Sequence, residues 1–435
     1  MAQGSVYRRC GCTTVDDNGK RVQLGPKCPK LKRPNGTWAD HGTWGFTIGV
    51  VGMGGARSQV RRAGFATKND AVSAMDDVKA RASKGVVVNE KMTVGQYLNE
   101  WIDGKDDIKA NTHANYSRYI EKVFVPHLGH VRLRDLRSAH IKAMFDDHTH
   151  LAPSSAQRMR AVLRSALSDA LRAGLVTVNA AALVKMAGGR SPRALVWTKA
   201  RESSWRWDVA ALVEDGKTVA AARRSAPRPS SSMVWTPAHL GAFLDAMADH
   251  PLYALFWIAS HCGLRRGEVC GLKWSDLDDG VITVERQLVC TPDGIIEDTP
   301  KSDASGRSVS VGTAGVKLLT AHRSDQRAEL LSWGVGKGSG YMFTTPTGET
   351  LDPHWVSKEF KRQVTAADLP PIRFHDLRHT AASLMLASGS DMKTVSEILG
   401  HSDLTITGNI YASVYEDAKD AAVEAVSVLV PRKAV

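Results

Sequence analysis

A long amphipathic stretch, "SAQRMRAVLRSALSDALRAGL" at residues 155–175, most restricts how this chain can fold. Its apolar residues recur at the spacing of one helix face: Met159, Leu163, Ala166, Leu167 and Leu171. Gly174 marks the end of this predicted helix. The earlier stretch "TVGQYLNEWI" shows the same spacing: Val94, Tyr97, Leu98 and Trp101. We therefore predict that residues 92–188 form a helical domain, with Lys and Arg on the opposite faces.

The chain has 435 residues, which is too long for one hydrophobic core, and its composition changes along its length. We predict an irregular segment, a small strand–strand–helix unit, the helical domain, a linker with an insertion, and a mostly helical final domain. Their boundaries are 1–41, 42–91, 92–188, 189–232 and 233–435.

Two of these regions contain predicted strands. "GTWGFTIGV" and "RSQVRRAGF" are the strands of the 42–91 unit, and "GVITVERQLVC", "GIIEDTPK" and "GRSVSVG" predict a three-strand meander at about 281–311. The 189–232 region predicts an inserted strand pair and helix, followed by a Pro, Ser and Arg-rich linker.

The net charge of +12 is unevenly distributed. Lys and Arg exceed Asp and Glu by 9 in residues 1–91, by 4 in 92–188 and by 5 in 189–232, whereas 233–435 carry a net −6. Basic regions of this kind bind polyanions, because Lys and Arg release the counterions condensed on phosphates. A merely solvated basic surface is the alternative that composition leaves open.

Composition also bears on the compartment of the protein. No run reaches the roughly 18 apolar residues that a membrane span needs, and the opening "MAQGSVYRRC" lacks a signal-peptide core. We therefore expect a cytoplasmic protein without membrane partners. Six cysteines are too few for a disulfide scaffold in a chain of this length, and we expect free thiols.

Four short motifs in the last region carry residues suited to phosphate chemistry. "HCGLRRGEVCGLKW" places Arg265 at the start of a short helix, and "TPKSDASGRSV" places Lys301 beside a tight turn. "HDLRHTAASLMLASG" places His375 and Arg378 three residues apart at a helix N-terminus, where the dipole favours an anion. "LGHSDLTITGNIYAS" separates His401 from a tyrosine by ten residues.

Each motif taken alone has an ordinary interpretation, such as a solvated arginine, an edge-strand lysine or a core tyrosine. Together they supply cations for the non-bridging oxygens of a phosphate and one phenol, Tyr411, to attack it. A phenol, with an ordinary pKa near 10, needs such a cationic environment to act as a nucleophile. The combination therefore indicates phosphoryl transfer through a tyrosine.

The same residues resemble a known family. "GLRRGE", "HDLRHT" and "LGHSDLTITGNIY" are similar to the motifs of the tyrosine recombinases, specifically the phage-type integrases of actinobacterial character. The resemblance implies a multidomain fold, mainly α with small β elements. Its parts are an α+β arm-type DNA-binding domain, a helical SAM-like core-binding domain, and a mixed α+β, mostly helical catalytic domain.

The resemblance also implies roles for single residues. Tyr411 attacks the scissile phosphodiester and forms a 3′-phosphotyrosyl link, Arg265 and Arg378 hold the non-bridging oxygens, and Lys301 protonates the leaving 5′-oxygen. His375 and His401 hydrogen-bond the phosphate or assist proton movement. The covalent link conserves the bond energy, so the family reaction uses no cofactor and no metal.

The resemblance implies integration and excision of a mobile element, with double-stranded attachment sites as substrate and a homotetramer on DNA. A host DNA-bending protein and an excisionase-type directionality factor are the further partners it implies. Two alternatives stay open: a type IB topoisomerase-like DNA relaxation, and a non-catalytic DNA-binding regulator.

The cysteines form two groups. Cys10, Cys12 and Cys28, with His41 as a fourth residue, match the spacing of structural zinc sites only weakly, so the spacing leaves zinc binding and ordinary thiols both open. The later cysteines, at 262, 270 and 290, lie in apolar stretches and are expected to be small core residues.

Overall fold

The computed structural model describes residues 4–17, 19–51, 57–83, 92–186, 194–299, 306–336 and 338–400. The chain divides into two compact units, Met1–Gly189 and Arg190–Val435. Within the described ranges, no helix combines the length and the apolar character needed to cross a membrane.

The first unit contains a small sheet module within residues 4–83 and a helical module within residues 92–186. Its elements in chain order are β1 Gly4–Val15, β2 Arg21–Gly25, β3 Thr43–Val51, β4 Arg57–Phe65, α1 Lys68–Ser83, α2 Val94–Asp103, α3 Ala110–Tyr119, α4 Val125–Leu128, α5 Ser138–Asp146 and α6 Pro153–Arg172. A 3-10 turn covers Pro29–Leu31 and a π-helical turn covers Ile120–Phe124.

The second unit begins with a short strand and two helices. Its elements in chain order are β5 Leu195–Val196, α7 Lys199–Glu214, α8 Val219–Ser225, β6 Met233–Val234, α9 Pro237–Ala246, α10 Tyr253–Cys262, α11 Arg266–Cys270, β7 Leu277–Asp278, β8 Val281–Val284, β9 Gln287–Thr291, β10 Gly294–Asp298, β11 Arg307–Ser310, α12 Gly312–Ser332, α13 Pro353–Ala366, α14 Phe374–Ala387 and α15 Met392–Leu399.

The sheet module corrects the prediction that residues 1–41 are irregular. Antiparallel pairing gives the strand order β2-β1-β3-β4, so β1 is a full member of the sheet, and α1 packs against β3. Burial along β1 does alternate, but Arg8 and Cys10 occupy its buried positions, and Arg8 stacks on the Trp44 ring at 5.5 Å. Because neither residue is aliphatic, the strand periodicity was hidden in the sequence.

The helical module has the predicted amphipathic faces. Thr93 caps α2, and the Tyr97 hydroxyl donates to the Ala166 carbonyl of α6 at 2.6 Å. The predicted apolar residues of both helices are buried except Leu171, which is 42% exposed in the last turn of α6. Gly174 adopts a left-handed conformation just beyond that turn, which ends the helix as predicted.

The 189–232 region is not a linker in its described part. β5 pairs in parallel with β6, and the Trp197 and Trp205 side chains are completely buried in the core of the second unit. The segment holds one short strand and two helices, rather than the predicted strand pair and single helix. Aromatic burial outweighs the Pro, Ser and Arg composition of the segment, because each tryptophan removes a large apolar area from water.

The predicted three-strand meander is also wrong. β9 and β10 form the expected hairpin, but β8 pairs instead with β7 and β11 in a separate sheet. The strand conformation is interrupted between β8 and β9 at Glu285 and Arg286, and the Arg286 side chain pairs with Asp276, which lies just before β7. That ion pair ends β8 within a stretch that the sequence pattern presents as one strand.

Candidate active site

Arg265 lies where α10 passes into α11. Gly263 ends α10 in a left-handed conformation, and a Cβ there would approach the Leu399 side chain to 2.5 Å, so the position requires glycine. Arg265 is the N-cap residue of α11, and the neighbouring Leu264, Val269 and Leu272 are buried. These anchors hold the Arg265 side chain, which is 32% exposed, at the surface of the unit.

His375 and Arg378 lie in the first turns of α14, as predicted. Arg373 caps this helix, and the carboxylate of the completely buried Asp376 accepts hydrogen bonds from the Arg373 backbone at 2.8 Å and from Ser232 at 3.1 Å. Arg378 points into the unit and is 2% exposed. A fixed helix start thus sets the positions of both side chains.

Three arginines converge on the C-terminal end of α15. Arg378 donates to the Leu399 carbonyl, and also to the Gly263 carbonyl at 2.8 Å. Arg265 donates to the Gly400 carbonyl at 3.1 Å, and Arg307 donates to the Ile398 carbonyl at 2.5 Å. Cations stabilise the negative end of the helix dipole and satisfy its terminal carbonyls. The arginine cluster therefore fixes the chain immediately before His401.

A buried carboxylate, Glu268, organises two of these arginines. It is 1% exposed, and it contacts Arg265 at 2.6 Å and Arg307 at 2.9 Å. Burial alone would raise the pKa of Glu268, but the Arg307 hydrogen bond and the two positive charges lower it below its ordinary value. The ionised carboxylate holds both guanidinium groups in place.

Glu268 and Arg307 were not predicted as site residues, although they lie in the motifs of Arg265 and Lys301. The spacing of Glu268, three residues after Arg265, was the available signal, since such pairs share a helix face. Arg265 is correspondingly ion-paired with Glu268, rather than merely solvated.

Both histidines of α14 are neutral at pH 7. Partial removal of its ring from water, followed by the charge of Arg378, lowers the pKa of His375 to about 4, although the residue keeps exposed surface. Burial and the neighbouring His375 lower the pKa of His379 to about 3. His375 keeps solvent-exposed surface whereas His379 is buried, and their rings lie 5.1 Å apart. A neutral His375 can accept a hydrogen bond or a proton.

A cavity of about 640 Å³ lies in front of this cluster. Arg265 and His375 line it, and its other cationic residues are Arg223, Arg224, Arg228, Arg266, Lys361 and Arg373. No described residue of its lining is Asp or Glu. The cavity therefore concentrates positive charge, even though residues 233–435 carry a net −6, and it suits a phosphate backbone.

Two protein families match large parts of the chain. Residues 236–417 match the phage integrase family, and residues 93–147 match the SAM-like N-terminal domain of phage integrases. The second unit and the helical module thus carry the two domain types that the sequence motifs implied. The chain belongs to the phage integrase family of tyrosine recombinases.

Relatives of this integrase-family chain carry matching names. It is 38% identical over 195 residues to a XerC-like tyrosine recombinase of Caldanaerobacter subterraneus, a match that covers 41% of this chain and 50% of that relative. It is 24% identical over 341 residues to the integrase of Mycobacterium phage L5, covering 77% and 78% of the two chains. The chain spans about half the length of the first of these relatives.

A solved structure shares the fold. The integrase of transposon Tn1549, in complex with a circular intermediate DNA, superposes with a TM-score of 0.54 at 20% identity and covers 76% of this chain and 100% of that one. The multidomain, mainly helical architecture expected from the sequence is therefore confirmed.

Half of the predicted site lies outside the described residues of this family member. Lys301, His401 and Tyr411 fall in the ranges 300–305 and 401–435. Arg265 and Arg378 meet at the end of α15, and His375 lines the adjoining cavity together with Arg265. The described chain therefore places three of the six predicted site residues, Arg265, His375 and Arg378, in one region of the second unit.

The insertion stabilises the segment just before α14, the helix that carries His375 and Arg378. Trp197 of the insertion donates from its indole nitrogen to the Pro371 carbonyl at 3.3 Å, beside Trp235 of the following segment, which donates to the Pro370 carbonyl at 2.9 Å. Arg206 and Arg223 both pair with Asp368, just before these prolines. The insertion thus holds the segment that leads directly into α14.

The two cysteine groups are in different surroundings. The Cys10, Cys12 and Cys28 thiols lie together with His41 in the sheet module. Cys262 and Cys270 are buried core residues, as predicted, and burial raises the pKa of each thiol to about 12. Cys290 is partly exposed instead, with its sulfur 3.3 Å from an Asp352 carboxylate oxygen.

Proposed function

We propose that this chain is a site-specific DNA recombinase that integrates and excises a mobile element. The Tyr411 oxygen attacks a phosphodiester of the attachment site, the phosphorus–O5′ bond breaks, and a 3′-phosphotyrosyl bond replaces it. The free 5′-hydroxyl of a second duplex then attacks that bond and releases the tyrosine. Each step exchanges one phosphate ester for another, so no nucleotide hydrolysis is required.

The observation that carries this proposal is the meeting of Arg265 and Arg378 at the end of α15, beside a cavity rich in cations. The Arg265 side chain donates to the Glu268 carboxylate and to the Gly400 carbonyl. A guanidinium has more N–H donors than these two bonds use, so others are available for a ligand. Its planar fork suits the non-bridging oxygens of a phosphate. The same arginine fixes Gly400, and the proposed phosphate-binding His401 follows at once in the sequence.

The remaining groups move protons. We assign Lys301 as the general acid that protonates the departing 5′-oxygen, because an ammonium is the positively charged donor that the leaving group needs. The neutral imidazole of His375 hydrogen-bonds the phosphate or takes the phenol proton. Binding the phosphodiester monoanion nearby would raise the pKa of His375, which favours that role in the complex.

Other parts of the chain would bind the DNA. The sheet module and α1 would contact arm-type sites, and the helical module would contact the core site next to the cleavage position. Both are basic, and phosphate contacts account for much of any DNA affinity. The insertion contributes Arg224 and Arg228 to the cavity wall.

The substrate geometry implies an assembly. Exchange of two strand pairs requires four tyrosines, so we propose a homotetramer on two duplexes. A host DNA-bending protein and an excisionase-type factor would set the direction of the reaction.

The test uses purified full-length protein with DNA from the two junctions of the element that carries this gene. A suicide substrate nicked near the cleavage site should give a covalent protein–DNA adduct. Two plasmids bearing the sites should give recombinants that a plasmid with only one site does not give. Relaxation of plasmids without either site would indicate a topoisomerase-like activity instead. Site binding without any adduct would indicate a non-catalytic regulator.

A further inference from the structure

A compact group of metal-ligand side chains lies in the sheet module. One donor atom each from Cys10, Cys12, Cys28 and His41 lies within 4.8 Å of all the others. The His41 Nε2 atom is 3.3 Å from the Cys12 sulfur and 3.8 Å from the Cys28 sulfur. We propose that these four residues bind one structural Zn²⁺ with tetrahedral Cys3His coordination.

The distances match the geometry that zinc requires. With Zn–S bonds of about 2.3 Å and Zn–N bonds of about 2.0–2.1 Å, a tetrahedron places sulfur atoms about 3.8 Å apart and sulfur and nitrogen about 3.6 Å apart. The two sulfur–nitrogen distances in the structure, 3.3 and 3.8 Å, lie within a few tenths of an ångström of that value. Thiolate and imidazole donors also select zinc over calcium or magnesium, which prefer oxygen.

The fold brings the four residues from three separate places. Cys10 and Cys12 are two residues apart on β1, where the pairing with β2 shifts register between Cys10 and Thr13. Cys28 immediately precedes the 3-10 turn at Pro29–Leu31, and His41 lies two residues before the start of β3, with Gly42 between them.

The position between His41 and β3 admits only glycine. Gly42 has a left-handed conformation, and a Cβ there would lie 2.4 Å from the Arg9 carbonyl of β1. The close approach of these two chains holds the imidazole against the β1 thiols. The site is thus a product of strand pairing, which the linear spacing of the cysteines does not reveal.

A metal would also explain how this end of the sheet is stabilised. The buried apolar cluster here consists of Cys10, Cys28 and Leu31, with Cys12 and Leu24 partly buried beside it. So small a cluster removes little apolar surface from water, and small modules of this kind commonly depend on a metal or on disulfides. One disulfide would leave a third thiol and the imidazole without a role, whereas a zinc ion uses all four ligands.

The first measurement is the zinc content of full-length protein, purified with a thiol reductant and without chelators, by elemental mass spectrometry. We expect about one zinc per chain, and Cys28→Ser and His41→Ala should each lose most of it because three ligands bind zinc far more weakly than four. Cys290→Ser is the matched control, since it removes a thiol outside the cluster, and it should retain the wild-type zinc content.

A second measurement covers variants that fail to fold. Wild-type protein, stripped of metal and titrated with Co²⁺, should develop the thiolate charge-transfer and visible bands of a tetrahedral site, and Zn²⁺ should abolish them. Removal of zinc should raise hydrogen exchange in residues 4–42 and leave α6 unchanged. Wild-type protein with neither zinc nor these cobalt bands would overturn the proposal, as would a Cys28→Ser variant that keeps its zinc. These readouts do not depend on recombination.

Discussion

Replacement of Glu268 by glutamine tests the arrangement that holds the candidate phosphate-binding arginines. The Glu268 carboxylate is buried and contacts both Arg265 and Arg307. Glutamine keeps the shape and one acceptor oxygen but removes the negative charge, so the Arg307 guanidinium, whose side chain is 6% exposed, loses its paired anion. The variant therefore isolates the electrostatic part of the interaction.

The size of the expected loss of stability follows from the burial of this ion pair. Removing one partner of a buried ion pair costs about 3–5 kcal/mol, and the hydrogen bonds that glutamine retains offset part of this loss. We expect a loss of about 3 kcal/mol in the free energy of local opening around α11 and α15. Since each 1.4 kcal/mol is a factor of ten, amide exchange there should accelerate by about a hundredfold. Adduct formation should fall as well, because Arg265 loses its anchor.

Hydrogen exchange followed by mass spectrometry measures this change in the full-length protein, on peptides from residues 263–272 and 392–400. Glu397→Gln is the matched control, because Glu397 pairs with Lys393 on the exposed surface of α15 at 3.9 Å. Exposed pairs contribute about 0.2–1 kcal/mol, so exchange in the control should change by only a few fold. If the two variants had the same exchange rates, the buried cluster would not hold α15, and the reasoning would be refuted.

Five further variants probe the same unit. Arg265→Ala should abolish covalent adduct formation but keep gel-shift affinity within about threefold, since most phosphate contacts lie elsewhere; a collapse of affinity would contradict that expectation. Arg378→Ala should abolish adduct formation too, and it should also speed local hydrogen exchange because its guanidinium is buried. Trp197→Ala should destabilise the unit by about 3–5 kcal/mol in denaturant unfolding, and Trp207→Ala, where the ring is 72% exposed, by less than about 0.5 kcal/mol; similar losses would place Trp197 outside the core. The folded-state pKa of His379 is about 3, below its unfolded value of 6.5, so the unfolded chain binds more protons and stability falls as the pH drops below 6.5. His379→Gln should remove about 2 kcal/mol of the loss between pH 7 and pH 5, and an unchanged pH slope would rule this out.

Local sequence patterns predicted the helices and the positions of Arg265, His375 and Arg378 well, because both depend on spacing within one element. The same reasoning failed for β1, whose buried positions are occupied by Arg8 and Cys10. There, a stacked guanidinium and a thiol replace the aliphatic residues that reveal a strand.

Features that depend on distant parts of the chain could not be predicted. Glu268 and Arg307 lie 39 positions apart, and their pairing depends on where β11 passes α11. The insertion resembled a linker because its composition is polar. Two of its tryptophans are nevertheless buried in the core, and its Arg206 and Arg223 pair with Asp368 in the segment before α14. The four proposed zinc ligands span residues 10–41 and meet only because β1 pairs with both β2 and β3.

The central claim is that one tyrosine becomes covalently linked to DNA, and "NIYASVYED" offers both Tyr411 and Tyr415. Glu416 and Asp417 follow Tyr415, and their charges would oppose a phosphate and disfavour ionisation of its phenol. The decisive measurement is adduct formation on a nicked suicide substrate by the two phenylalanine variants, with the linked peptide identified by mass spectrometry. We predict that Tyr411→Phe binds the site and forms no adduct, while Tyr415→Phe forms it at the wild-type level. An adduct that persists in Tyr411→Phe and disappears in Tyr415→Phe would contradict the account.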